Sequence, residues 1–394
     1  MRSKAIILTF IFLHQVSGFA DSQELQLRQS KLKGLLVQPL SNGDFAGKAS
    51  QMNATATSLE NKASPLKIRF NQKVGNNMDG ALKEVIKFLR VRHQAWPSGY
   101  DIEIAFEDRF TSKDGPSAAI CCALLLDSLV SGKKIDPFFA ITGDMNADGS
   151  IQPVGGIPAK VRGAFSKECK IVAIPAKNSR SLSDLVLLNG IKTISRIQVF
   201  TVTNFNEASK IAFIEKDDSI IKSIEEFSKV QSAIFRHKSA ILKNTQVQKK
   251  LREILKLAPN HLSANLALEV ATGKAPRTLS LMGSLEKTEN FASTLIEAAR
   301  SGTDPEDSLA DDDLGIVISD LKRVRLKLDK RVWSYADSIQ DFGKLVREFK
   351  VSPPKGNVSK KKKLTDIQIA AEKIEREVKK IRNNKEMMEE LIQD

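Results

Sequence analysis

The sequence predicts an α+β, mixed α/β domain over residues 31–216, followed by an all-α region. Three observations predict it. Strand-like and helix-like segments alternate from residue 31 to residue 216, in several β-to-α steps. From residue 217 the strand signals stop and Lys/Glu/Leu-rich helical patterns take over. The chain has 394 residues with 41% hydrophobic content, enough for two or three domains of ordinary globular composition.

Within the first region, Gly34–Leu40 reads as a strand, and Pro39 assigns it to a sheet edge. Residues 41–65, rich in Asn, Ser, Ala and Gly, read as a long loop or ragged hairpin. Leu66–Phe70 reads as a strand, Asn76–Gln94 as an amphipathic helix, and Tyr100–Phe106 as a half-buried strand with Ile102, Ile104 and Phe106 on one face. Gly115-Pro116-Ser117 is a turn and helix cap before AAICCALLLDSLV, a helix apolar on most sides and therefore buried. The strand FFAITG follows, then a hairpin turn at Ala147–Ser150 and a helix opening at Ile157-Pro158. KIVAIP and RIQVFTV are further strands, separated by a short helix that ends at Gly190.

Residues 217–350 are expected to be helical, with a hairpin near 240–273, tetratricopeptide-like or ordinary, broken at Pro259-Asn260. Residues 303–313 form an acidic loop. Residues 351–363 read as a basic linker ending in Lys360–Lys363, and 364–394 as a C-terminal helix. The tail carries a short heptad pattern, weakened by Lys385, which suits a coiled-coil arm or a helix docked on the domain.

Residues 1–20 have the grammar of a secretory signal peptide. Arg2 and Lys4 precede the apolar run Ala5–Leu13, and small residues at Gly18 and Ala20 mark a cut before Asp21. The expected localisation is therefore periplasmic or secreted. Cys121, Cys122 and Cys169 offer no disulfide framework and no metal spacing, and they read as buried small hydrophobes. The net charge of +14 permits anionic partners, but no zinc-finger, RNP-type or helix-turn-helix pattern points to nucleic acid. Asp144–Gly149 imitates half a calcium loop, yet position twelve is Gly155, so a β-turn is expected and no metal.

The chemistry lies in the stretch from Phe110 to Asn178. Amide hydrolysis needs an activated nucleophile, a base and a site for the oxyanion. Histidines are scarce: His14 lies in the signal segment, His93 on a helix, and His237 and His261 in the helical half. A lysine can serve as base when burial keeps its amine neutral. Lys160, among Ile157, Pro158, Ala159 and Val161, has that setting. Ser117 stands at a helix start, where unpaired backbone N–H groups and the helix dipole favour negative charge.

KDGPSA, ITGD, VGGIPAK and VAIPAKN, in that order, resemble the proteolytic domain of Lon proteases. The resemblance covers residues 31–216 and implies a Lon-type proteolytic domain with a Ser-Lys dyad. It places Ser117 on the nucleophile and Lys160 on the general base. Thr142 falls on a threonine that supports the lysine, and Asp114 and Gly115 fall in the loop that shapes the oxyanion side. Ala119 and Asp144 depart from the family's Gly and Glu. No GxxxxGK[ST] motif occurs, so no ATP and no ATPase motor are expected.

The expected function is thus an exported, ATP-independent serine endopeptidase acting on loose or unfolded polypeptides, without cofactor, with a homo-oligomer allowed. Membrane contact would come only through an uncleaved signal segment or the basic linker. The alternative is an inactive Lon-like scaffold, for which Ala119 is the motivating departure.

Overall fold

The computed structural model describes residues 24–39, 45–108, 113–301 and 311–393. The segment 1–20 expected to be a signal peptide, the start of the central stretch at Phe110 and most of the expected acidic loop lie outside the described residues.

The first body is a seven-stranded mixed sheet between two helical layers. In chain order its elements begin with β1 (Gln29–Pro39), β2 (Phe45–Ser58), β3 (Lys67–Phe70), α1 (Asn76–Arg92) and β4 (Tyr100–Phe106). A 3-10 turn at Pro116–Ala118 leads into α2 (Ala119–Ser131) and β5 (Phe139–Ile141). The small hairpin β6 (Asp144–Met145) and β7 (Ile151–Gln152) precedes α3 (Ile157–Ser166). Then come β8 (Ile171–Pro175), α4 (Ser179–Asn189), β9 (Gln198–Val202) and α5 (Phe205–Ala212). The sheet order is β3-β4-β2-β1-β5-β8-β9; β1, β2 and β4 pair antiparallel, while β5, β8 and β9 run parallel to β1.

Period-2 burial divides the strands between two cores. Met52, Ala54, Ile102, Ile104 and Ile141 face α1, α2 and α5. Ala49, Ala140, Val172, Ile174 and Val199 face α3 and α4. Strands covered on both faces read as continuous apolar runs, which is why KIVAIP is so uniform. Helix α2 is buried on nearly every side, as its all-round apolarity requires.

Two expectations need correction. The loop reading of 41–65 fails and the hairpin reading holds in part: residues 45–58 are a fourteen-residue strand paired antiparallel with β1. Its period-2 pattern is written in small residues, because helices approach it closely. A methyl built on Gly47 would fall inside the Ala159 carbonyl, and one on Gly163 inside the Gly47 carbonyl. Nor is β1 an edge strand; it is central. Pro39 is tolerated because pairing with β5 involves only Lys33 and Gly34, so the strand's far end is open on that side.

Helices α6 (Asp218–His237), α7 (Thr245–Leu257) and α8 (Leu262–Ala271) follow. The expected hairpin break falls between α7 and α8, but the grammar change at residue 217 does not mark a separate core. Phe227, Val230, Leu251, Ile254 and Leu266 share the second core with the sheet. His261 fastens this layer. Its Nδ1 accepts the Ala264 N–H (3.2 Å), so Nε2 carries the proton toward Gln198 Oε1 (3.0 Å). Burial drives its pKa down to about 3, and it lies against the rings of Phe200 and Phe227.

A second helical body comprises α9 (Leu281–Ser301), α10 (Asp311–Val324), α11 (Trp333–Val351), α12 (Asn357–Asn383) and α13 (Lys385–Gln393). Its core includes Leu295, Leu321, Tyr335, Ile339, Phe342, Ile367 and Ile374. The expected linker 351–363 is shorter than read: Lys360–Lys363 already belong to α12, which starts after Gly356 at φ 88°. The heptad residues Ile367, Ile374 and Ile381 dock into this core. Among the described residues no helix is long and apolar enough to cross a membrane, and all three cysteines are free and buried.

Candidate active site

The site lies at the carboxyl end of β5, where the two helical layers meet beyond the strand. Ser117 comes from the 3-10 turn before α2, in the first layer. Lys160 comes from the first turn of α3, in the second. Thr142, directly after β5, joins them.

The hydrogen bonding is compact. Lys160 Nζ donates to Thr142 Oγ1 at 3.0 Å, and Thr142 Oγ1 donates to the Ser117 carbonyl at 3.1 Å. The Gly143 N–H donates to that same carbonyl at 2.9 Å. A threonine hydroxyl has one proton, and here it is committed to Ser117. Thr142 therefore accepts from Lys160 and leaves the lone pair of a neutral amine directed elsewhere. Thr142 is fully buried and Lys160 is 2% exposed. Burial lowers the Lys160 pKa to about 8, offset slightly by the neighbouring Cys121 thiol. Burial pushes that thiol up to about 12, so Cys121, which donates to the Ile141 carbonyl at 3.3 Å, is no thiolate nucleophile.

Ser117 is not the helix cap that a Gly-Pro-Ser turn suggests. Gly115 caps the 3-10 turn and Ala118 precedes α2, and neither position has a side-chain cap bond. Among the described residues, a Cβ built on Gly115 would meet only Ser117 Oγ, 3.7 Å away.

Asp114 has a holding role. Its carboxylate accepts the Asn77 N–H at 3.1 Å and the Asn77 side-chain amide at 3.4 Å, while the Gly75 N–H donates to the Lys113 carbonyl at 2.9 Å. The loop before Ser117 thus caps α1 from outside that helix, and any side chain at Gly75 would collide with Asp114. Asp114→Ala is expected to cost about 0.5–2 kcal/mol of stability and to lower kcat/KM, with Asp114→Asn retaining most of both. Thermal melts and steady-state rates on the two variants check this.

Asn178, at the end of VAIPAKN, is a holding position to which the sequence alone assigns no role. It is fully buried, and its Oδ1 accepts the Val154 N–H at 2.9 Å. It thereby ties the turn after β8 to the loop that delivers α3. Asp144 accepts its neighbour's N–H at 2.7 Å, and burial raises its carboxyl above the ordinary range. At the hairpin, the Gly149 N–H donates to the Asn146 carbonyl at 2.9 Å, closing a β-turn, and Asp148 Oδ1 accepts the Ser150 N–H at 2.8 Å.

A histidine triad does not assemble. His93 Nε2 lies 2.9 Å from Asp127 Oδ1, but Asp127 is ten residues along α2 from Ser117, roughly 15 Å at a helical rise. His261 is locked in the second core. Among the described residues, no cluster of His, Cys, Asp and Glu could hold a metal ion.

The first body thus holds a mixed sheet between helical layers, with a serine turn and a buried lysine joined through Thr142 at the end of β5. Residues 51–215 match the family described as Lon protease (S16) C-terminal proteolytic domain. The chain is similar to Lon protease of Methanosarcina barkeri, 33% identical over 124 residues, covering 30% of this chain and 16% of that protein. It is similar to Lon protease of Desulfovibrio desulfuricans, 26% identical over 199 residues, covering 49% and 21%. Lon protease 2 of Bacillus subtilis is 32% identical over 128 residues, covering 32% and 21%. The chain thus spans at most about a fifth of these relatives' length.

Proposed function

We propose that the first body is a serine endopeptidase in which Ser117 is the nucleophile and Lys160 its base. The observation that carries this reading is the buried Lys160 amine, held by Thr142 against the Ser117 backbone, with a pKa of about 8. At pH 7 about a tenth of such lysines are neutral, enough to act as base.

In the proposed cycle the Lys160 lone pair takes the Ser117 hydroxyl proton as Oγ attacks the scissile carbonyl. The carbonyl π electrons move to oxygen, which the backbone N–H groups of the 3-10 turn receive. Collapse breaks the C–N bond, and the leaving amine takes the proton from Lys160. Water then attacks the Ser117 ester; Lys160 accepts its proton and returns it to Oγ. Ala119, the departure that favours an inactive scaffold, is 1% exposed within the first core, so its methyl is taken up by packing.

Because the 394 residues hold no GxxxxGK[ST] motif and open with a signal-like segment, we propose action outside the cytosol on loosely folded polypeptides, without ATP. Cell fractionation with N-terminal sequencing of the mature chain tests export, the expected start being Asp21. For catalysis, β-casein hydrolysis is expected to need both side chains, with Ser117→Ala and Lys160→Ala at background. The wild-type kcat/KM should rise with pH and level off above about 8, since only the neutral amine serves. Wild-type protein as inert as both variants would sink the reading.

A further inference from the structure

The second helical body packs directly on the layer that holds the Lys160 helix. Arg180 of α4 donates to the Thr278 carbonyl at 2.9 Å. Asp184 accepts the Ser280 N–H at 2.9 Å and the Ser280 hydroxyl at 2.6 Å. Gly283 comes so near Asp184 that a side chain there would collide, so α9 is held close against α4.

Between α9 and the loop leading into α3, two cavities open, of about 260 and about 560 Å³. Both are lined by Gly156, Pro158, Arg162, Leu188, Glu286 and Asn290, so they form one groove along the start of α3. A groove open along a helix start suits an extended chain better than a compact ligand. Its wall is apolar at Leu185, Leu279 and Met282. At Gly155 a Cβ built on the backbone meets nothing within 4 Å among the described residues.

The groove's charge is predominantly basic. Arg162, Arg323 and Lys327 line it; Arg323 pairs with Asp320, while Arg162 and Lys327 are exposed and make no ion pair among the described residues. On the acidic side, Asp184 is engaged by Ser280. Glu286 is raised above the ordinary carboxyl range by burial, by Asp184 and by Glu289.

We infer that this groove is an exosite for an acidic, apolar-containing segment of an unfolded polypeptide, engaged as the substrate is held for Ser117. The inference rests on the peptidase reading for its role, because α3, whose Pro158 and Arg162 line the groove, also bears Lys160. It also accounts for the second helical body, since α9 supplies the wall that the sheet domain lacks.

The full chain carrying Ser117→Ala separates binding from turnover. Fluorescence anisotropy with a labelled peptide of alternating Glu and Leu is expected to show binding that weakens with salt. Arg162→Glu with Lys327→Glu should weaken it about tenfold, and Arg162→Gln should weaken it less. An alternating Lys and Leu peptide should bind more weakly than the acidic one. With Ser117 intact, the double reversal should raise KM for an acid-rich unfolded protein about tenfold, with kcat unchanged. It should leave cleavage of a peptide too short to reach the groove untouched. Equal binding of the two peptides, no binding of the acidic peptide, or indifference to the double reversal overturns the exosite. Because the anisotropy assay needs no catalysis, that result is distinct from a failure of Ser117 and Lys160 to hydrolyse substrate.

Discussion

Lys160→Met is expected to abolish hydrolysis and at the same time to stabilise the first body by about 3 kcal/mol near neutral pH. In the folded chain the amine has a pKa of about 8, against an ordinary 10.5. Below both values the lysine is protonated in folded and unfolded chains alike, and folding must bury an ammonium. Between about 8 and 10.5 the unfolded chain binds more protons than the folded one, so wild-type stability rises with pH across that window. Above it the amine is neutral in both states and the penalty is gone. The advantage of Met should therefore be largest at neutral pH and shrink as pH approaches 10.5, leaving the loss of the Thr142 hydrogen bond. Chemical denaturation of wild type and variant across this range checks the sign and the window. A variant less stable than wild type at pH 7 would mean that the buried ammonium is better compensated than the structure indicates.

The second large effect is steric. Gly163→Val is expected to cost more than about 4 kcal/mol and to yield little folded protein. On α3, Gly163 faces the backbone of Gly47 on β2, and a Cβ at either glycine would land in a main-chain carbonyl. Neither backbone can yield without lifting α3 off the sheet and withdrawing Lys160 from Thr142. Gly80 in α1 is the internal control, because a Cβ built there meets nothing within 4 Å among the described residues. Gly80→Ala should stabilise by about 0.5–1 kcal/mol, the ordinary gain for glycine in a helix. Soluble expression and thermal melts of the two variants decide whether close approach, rather than helix propensity, governs Gly163.

The same glycines explain how far the fold is legible in the sequence. Strands β4, β5, β8 and β9 announce themselves through runs of Ile, Val and Phe. Strand β2 does not, because close packing beneath α2 and α3 requires Gly47, Ala49, Ala54 and Ala56, residues that composition assigns to loops. The centrality of β1 is hidden for a related reason: Pro39 is a true signal of an open strand edge, but only of the strand's last residues. At the site, Ser117, Thr142 and Lys160 are legible because their motifs occur in order. What is not legible is how each is held. The Asp114 bond to Asn77 spans thirty-seven positions and the Asn178 bond to Val154 twenty-four, and no local periodicity encodes either. The docking of α9 on α4 through Ser280 and Asp184 is equally non-local, so the groove beside α3 is invisible before folding.

The central claim is that Lys160 activates Ser117. Active-site labelling with a fluorophosphonate, read by mass spectrometry across the neutral and alkaline range, tests it without knowledge of the natural substrate. A single adduct on Ser117 is expected, with a rate that climbs through about pH 8, and background labelling in Lys160→Met and Ser117→Ala. Labelling of Lys160→Met at the wild-type rate, an adduct on another residue, or no adduct on the wild-type chain would contradict it.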